Sequence, residues 1–140
     1  MKDWKGENIM RDILFRGKRV ENNDWVYGDL IHEPWGDCIQ VMEKDNINTF
    51  KRTKYTVHKE TVGQYTGLLD KNVERIFEGD VLTLDGEDGF FVLEFQEDTA
   101  RFVMSGDSIV VDFDNFWSYE VEVIGNIHDN PELLEEGGEE

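Results

Sequence analysis

The sequence predicts a mainly β chain, built of short antiparallel strands that curl into a small barrel in the carboxyl-terminal half and end in one short helix. Three observations predict it. Phe90-Phe91-Val92-Leu93-Glu94-Phe95 alternates with the two-residue period of a strand, Phe91, Leu93 and Phe95 on one face and Phe90, Val92 and Glu94 on the other. Runs of aromatic and β-branched residues recur at short intervals between clusters of Gly, Asn, Asp and Ser. Asn130-Pro131-Glu132 carries a helix start: an Asn cap, proline at the first helical position and an acid in the first turn.

The elements follow in chain order. After Ile13-Leu14-Phe15 and the basic cluster Arg16-Gly17-Lys18-Arg19, the turn-rich Glu21-Asn22-Asn23-Asp24 leads into Trp25-Val26-Tyr27-Gly28-Asp29-Leu30-Ile31, which predicts a strand pair joined by a turn. Pro34-Trp35-Gly36-Asp37 is a further turn, and Ile39-Gln40-Val41-Met42 a short strand. Polar residues from Glu43 to Lys54 predict a mobile loop. Tyr55-Thr56-Val57, Val62 to Gly67 and Ile76 to Leu82 are further strands, with a turn at Leu68 to Asn72. Arg101-Phe102-Val103-Met104 and Ile109 to Phe113 flank the hairpin-type turn Ser105-Gly106-Asp107-Ser108, and Glu120 to Ile127 alternates again. Strands after Glu78-Gly79-Asp80 with turns this short suggest an SH3-like small barrel, because closing the sheet covers its edges. Leu133 or Leu134 is expected to pack the final helix onto it. The expected organisation is an extension over 1–12, with Met10 as a candidate start, one β domain over 13–134, and an acidic solvated tail over 135–140.

Composition bounds the chemistry. The 140 residues suffice for one self-supporting core. Cys38 stands alone, so the chain reads as intracellular and reduced, and no apolar run approaches a membrane span. With 32 acidic and 14 basic side chains the net charge is −18. That charge repels phosphates, so no direct nucleic-acid binding is expected, and the bland account of it is solubility.

Five ordered segments carry a resemblance. They are Phe15-Arg16-Gly17-Lys18, Trp25-Val26-Tyr27-Gly28, Thr61 to Leu68 with Asp70-Lys71-Asn72, Phe77-Glu78-Gly79-Asp80, and Val123 to Leu134 with its Gly125-Asn126 and His128-Asp129-Asn130-Pro131. Together they resemble YopX-like phage and prophage proteins over Ile13 to Leu134. The resemblance implies a phage origin and a β-rich fold and brings no catalytic residue; the lone Cys38 and the lack of a membrane run make the cytoplasm of the bacterial host the expected address. Val73 departs from it, standing where glycine is more usual, as does His128, where an aromatic is common.

Candidate sites are weighed on the residues alone. The cations Arg16, Lys18 and Arg19, and Lys51, Arg52 and Lys54 of the expected loop, are where an acidic ligand would land, although a solvated rim accounts for the first group. Trp25 and Trp35 add aromatic contact surface; with Trp117, Tyr27 and Tyr119 they could make a base-stacking platform, but the basic groove such a platform needs is missing. Asp85-Gly86-Glu87-Asp88-Gly89 could chelate a divalent cation and more simply makes a tight turn. His32, His58 and His128 are scattered, without the short spacing of zinc sites or a nucleophile signature. The expectation is an accessory protein that self-associates as a homo-oligomer or binds a host or phage protein, without cofactor, membrane or catalytic activity. The alternatives are an acidic nucleic-acid-mimicking decoy of a basic host protein and a metal-dependent hydrolase or nucleotide-handling enzyme.

Overall fold

A computed structural model describes residues 12–139, so the candidate start at Met10 and nearly all of the expected 1–12 extension lie outside it. The chain is mainly β, as predicted. Its strands are β1 (Phe15–Lys18), β2 (Trp25–Glu33), β3 (Gly36–Asn46), β4 (Thr49–Thr56), β5 (Gly63–Leu69), β6 (Arg75–Phe77), β7 (Asp80–Leu84), β8 (Phe91–Gln96), β9 (Arg101–Ser105), β10 (Val110–Asp112) and β11 (Val121–Asn126). The helices are α1 (Asn115–Ser118) and α2 (Glu132–Glu139). All ladders are antiparallel and make two sheets, ordered β4-β3-β2-β1-β5-β6 and β10-β9-β8-β7-β11.

The first two hairpins form where the turn residues place them. Asn23 takes the left-handed φ of 62° between β1 and β2, a conformation Asn tolerates, and its N–H returns to the Arg19 carbonyl at 2.8 Å. Gly28 is required by a close approach: a Cβ there would lie 2.1 Å from the Gln40 carbonyl oxygen of β3. The expected loop from Glu43 to Lys54 is instead a hairpin. β3 and β4 pair from Cys38↔Thr56 to Asn46↔Thr49 around a two-residue turn, with Glu43 opposite Lys51 and Met42 opposite Arg52. Cross-strand pairs and the backbone ladder hold it where no buried face does.

The core lies under the second sheet. Ile76, Leu82, Phe91, Leu93, Met104, Phe113 and Val121 cluster there, with Trp117 of α1 packed against them. Each fully buried aliphatic of this set stabilises the fold by roughly 1.5–3 kcal/mol. Phe91 and Leu93 obey the predicted alternation, but Phe95 runs past the core and stacks edge-on to Phe102, 5.3 Å between centroids. Among the described residues no ladder joins β10 to β11, so hydrogen bonds do not close the five-stranded sheet into a barrel, and α1 lies between those two strands along the chain. α1 was not expected; Asp114 caps it, its carboxylate accepting from the Phe116 N–H at 2.9 Å. At the second helix the Asn130 side chain turns back and accepts from the Asn126 N–H, Leu133 is half-buried, and the helix runs on to Glu139.

Candidate functional site

Arg16 and Lys18 lie two residues apart on β1 and so share a face, opposite Tyr27 and Trp25 of β2. That face turns toward the corner between β6 and β7. The Arg16 guanidinium, 6% exposed, lies between the rings of Trp25 (4.7 Å) and Phe77 (4.8 Å). Its Nη2 donates to Asp80 Oδ1 at 2.7 Å and to the Glu78 carbonyl at 3.3 Å, while Asp80 Oδ2 accepts from the Phe77 N–H at 2.7 Å. The corner itself needs Gly79, whose φ of +90° no side chain adopts cheaply. Gly79 also links the far strands: its N–H donates to the Leu93 carbonyl at 2.7 Å and its carbonyl accepts from Ile127 at 2.9 Å.

The end of the chain completes this junction. Trp25 Nε1 donates to Asp129 Oδ2 at 2.7 Å, Lys18 is ion-paired with the same carboxylate, and Asn126 donates to it at 3.2 Å. Burial works against the Asp129 charge, but these hydrogen bonds and the Lys18 ammonium outweigh it and hold the carboxyl at about 2. Burial lifts Asp80 above the usual carboxylate range, with Arg16 and the Phe77 N–H pulling it back. Glu78 is likewise raised by burial, and His128 is lowered by burial and by the Arg16 and Lys18 charges. Two open clefts flank the junction. One of about 560 Å³ is lined by Arg16, Tyr27, Arg75, Phe77 and Asp80, and one of about 330 Å³ by Glu60, Glu78, Glu94 and His128.

A second feature lies at the outer edge of the six-stranded sheet. β4 is an edge strand of eight residues, and the register places Lys44, Arg52 and Lys54 on one face of the β3–β4 hairpin with Met42 and Phe50. Met42 is 56%, Phe50 65% and Ile47 at the turn 79% exposed. Lys54 reaches Glu33 at 3.5 Å and Lys51, on the opposite face, reaches Asp45 at 4.0 Å. Thr56 at the end of β4 accepts from the Val20 N–H at 3.0 Å, beside a bridge from Arg19 to Val57; the edge before it offers its backbone N–H and C=O groups to another strand and is framed by cations and apolar side chains.

The five segments that carry the family resemblance thus contribute Arg16, Lys18, Trp25, Gly63, Phe77, Glu78, Gly79, Asp80, Asn126 and Asp129 to one junction and the corner around it, where a Cβ on Gly63 would lie 2.7 Å from the Glu78 carbonyl. The model of the family described as YopX protein matches residues 14–135. The chain belongs to the YopX family. The solved structure of protein EF1440 from Enterococcus faecalis is similar at 24% identity and a TM-score of 0.60, over 89% of this chain and 99% of that one, which shows a shared fold. No curated protein matches the chain.

In this YopX-family domain the predicted site residues separate into two groups, with Trp35 apart from both. Arg16 is buried in the junction rather than on a solvated rim, because Asp80, sixty-four residues on, supplies its counter-ion. Lys18 and Trp25 join it there. Arg19 faces the other way, over the Tyr55 ring at 4.2 Å and paired with Glu21, and lines a depression with Lys54, where the two basic stretches meet. Lys51, Arg52 and Lys54 lie on β4, and Trp35 projects from the β2–β3 turn, 67% exposed. Trp25, Trp35 and Trp117 therefore occupy three separate places and form no platform. Asp85 starts a turn and pairs with Lys71 at 2.9 Å. His32 bonds Asp37 and His58 lies beside Asn23, each apart from His128. No group of three His, Cys, Asp or Glu side chains among the described residues is placed to hold a metal, and no described helix is long and apolar enough to cross a membrane.

Sequence reading missed Asp80, Glu78 and Asp129 as partners, and it missed how charge divides. Residues 1–69 hold 11 acidic and 11 basic side chains, whereas residues 70–140 hold 21 and 3. Five of the six strands of the first sheet come from the neutral segment, and β6 with all five strands of the second sheet from the one that carries the whole excess. A running count of charge along the chain finds this without coordinates.

Proposed function

We propose that this YopX-family domain works by protein–protein interaction in the phage or prophage setting its family resemblance implies, docking an acidic protein strand on the β3–β4 hairpin. The observation that carries the reading is the open β4 edge, which gathers Lys51, Arg52 and Lys54 on a chain whose net charge is −18. Backbone pairing along such an edge supplies affinity, and the flanking cations select an acidic partner and speed its encounter. The Arg16–Asp80 junction has a structural part in this reading: it fixes β1, and through β1 the β2–β3–β4 array, on the second sheet.

The test is fluorescence anisotropy with a labelled peptide of alternating glutamate and valine. The full chain is expected to bind it saturably and more weakly at high salt, and an Arg52→Glu/Lys54→Glu variant at least about ten-fold more weakly, a loss of about 1.4 kcal/mol. Equal binding by the variant overturns the reading.

A further inference from the structure

Resting on that reading, we infer that the occupant of the β4 edge is the β10 edge of a second copy of this chain, so that copies associate head to tail. Of the four end strands of the two sheets, β4 and β10 differ most in character. β4 presents cations with Met42 and Phe50, while β10, at the end of the five-stranded sheet, presents Val110 and Asp112 on its outer face, the latter paired with Arg101 at 3.0 Å, with Ile109 and the acidic Asp107 just before it. Ile109 is 54% and Val110 57% exposed, and Val111 between Val110 and Asp112 packs toward the core. Asp114 and the largely exposed Phe116 and Tyr119 follow β10 along the chain. β4 is closed at its last residue, where Thr56 accepts from the Val20 N–H at 3.0 Å, and no ladder among the described residues pairs its outer edge before that or the outer edge of β10; each edge carries exposed apolar side chains.

Charge decides between the ways two copies can pair. Joining β4 to β4 would set Lys51, Arg52 and Lys54 against the same residues of the other copy, and joining β10 to β10 would bring together two segments that each hold 21 acidic and 3 basic side chains. Like charges across an interface are unfavourable, so both symmetric pairings are opposed. The β4-to-β10 pairing sets the cationic edge against the acidic sheet. Such an interface is heterologous: every copy keeps one β4 and one β10 edge to offer, so growth continues until a ring closes or a filament forms. Because the attraction is between exposed charges, added salt screens it.

The experiment uses light scattering on the full chain after size-exclusion chromatography, with two edge variants. Arg52→Glu/Lys54→Glu alters the β4 edge and Ile109→Ser/Val110→Ser the β10 edge; all four residues are exposed, and an unchanged urea midpoint reports that each variant folds. The wild type is expected to gain mass with concentration at low salt and lose it at high salt. Each variant alone is expected to be a monomer, and an equimolar mixture to give a 1:1 dimer and nothing larger, since one intact edge of each kind remains. A β10 variant that still dimerises alone, a mixture that stays monomeric while the wild type associates, or a wild type monomeric at every concentration each overturns the head-to-tail inference. None of these outcomes touches the binding of the acidic peptide at β4, which tests the broader reading by itself.

Discussion

Replacing Asp80 by alanine tests whether the junction holds the two sheets together. Asp80 is 1% exposed, and its two oxygens serve different clients: Oδ1 the Arg16 guanidinium and Oδ2 the Phe77 N–H, each at 2.7 Å. Alanine leaves Arg16, itself 6% exposed, with the Glu78 carbonyl at 3.3 Å and two aromatic faces as its remaining partners. Removing one member of a buried pair costs about 3–5 kcal/mol, a range that takes in the stranded N–H at roughly 1–3 kcal/mol. The expected loss is about 4 kcal/mol out of the roughly 5–15 kcal/mol typical of a domain. Urea unfolding followed by tryptophan fluorescence at neutral pH measures it, with the slope of the transition unchanged. Combining Asp80→Ala with Arg16→Met removes the stranded charge, so the double variant should cost less than the two single changes together by about 1–2 kcal/mol. A single-variant loss under about 1 kcal/mol, or strict additivity, refutes the assignment.

Two further outcomes follow from the same geometry. Val73 sits at a φ of 64°, which a β-branched residue adopts only under strain, and it is 74% exposed, so Val73→Gly gives up little burial; relief of about 1–2 kcal/mol outweighs the glycine entropy of about 0.5–1 kcal/mol, and the melting temperature should rise by roughly 2 °C. An unchanged or lower melting temperature counts against that strain. Asp129, held at about 2 against an ordinary 3.8, has a depressed folded pKa, so its contribution is complete above the unfolded value and disappears as pH falls through the folded one. Its side chain is 36% exposed, which screens the contribution to about 1 kcal/mol, and the stability gap between wild type and Asp129→Asn should hold from neutral pH down to about 4 and close near 2. A gap that persists at the acid end contradicts the proposed ionic role.

How much of this was legible depends on what each segment buries. Phe91 and Leu93 alternate against a core, and their strand is plain in the sequence. The β3–β4 hairpin is exposed on both faces beyond Val41, so it shows no apolar period and reads as a loop, although Glu43 opposite Lys51 is a cross-strand pair waiting for its register. α1 spans four residues, too few for a helical period, and only Asp114 before it hints at a cap. The buried state of Arg16 could not be read from Arg16-Gly17-Lys18-Arg19, because its counter-ion lies sixty-four residues away and the cluster looks like any solvated basic turn. The resemblance did mark the right segments, since the motifs it rests on are those that meet at the junction.

The bond from Trp25 to Asp129 spans 104 positions and ties the second strand to the residues just beyond the last. Contacts of such separation are entropically expensive to close and come late. A chain still emerging from the ribosome can pair β1 with β2, yet it cannot seat that indole until Asp129 has been made. The first hairpin is therefore held in waiting by the segment that follows β11, and the environment of Trp25 reports when that segment docks.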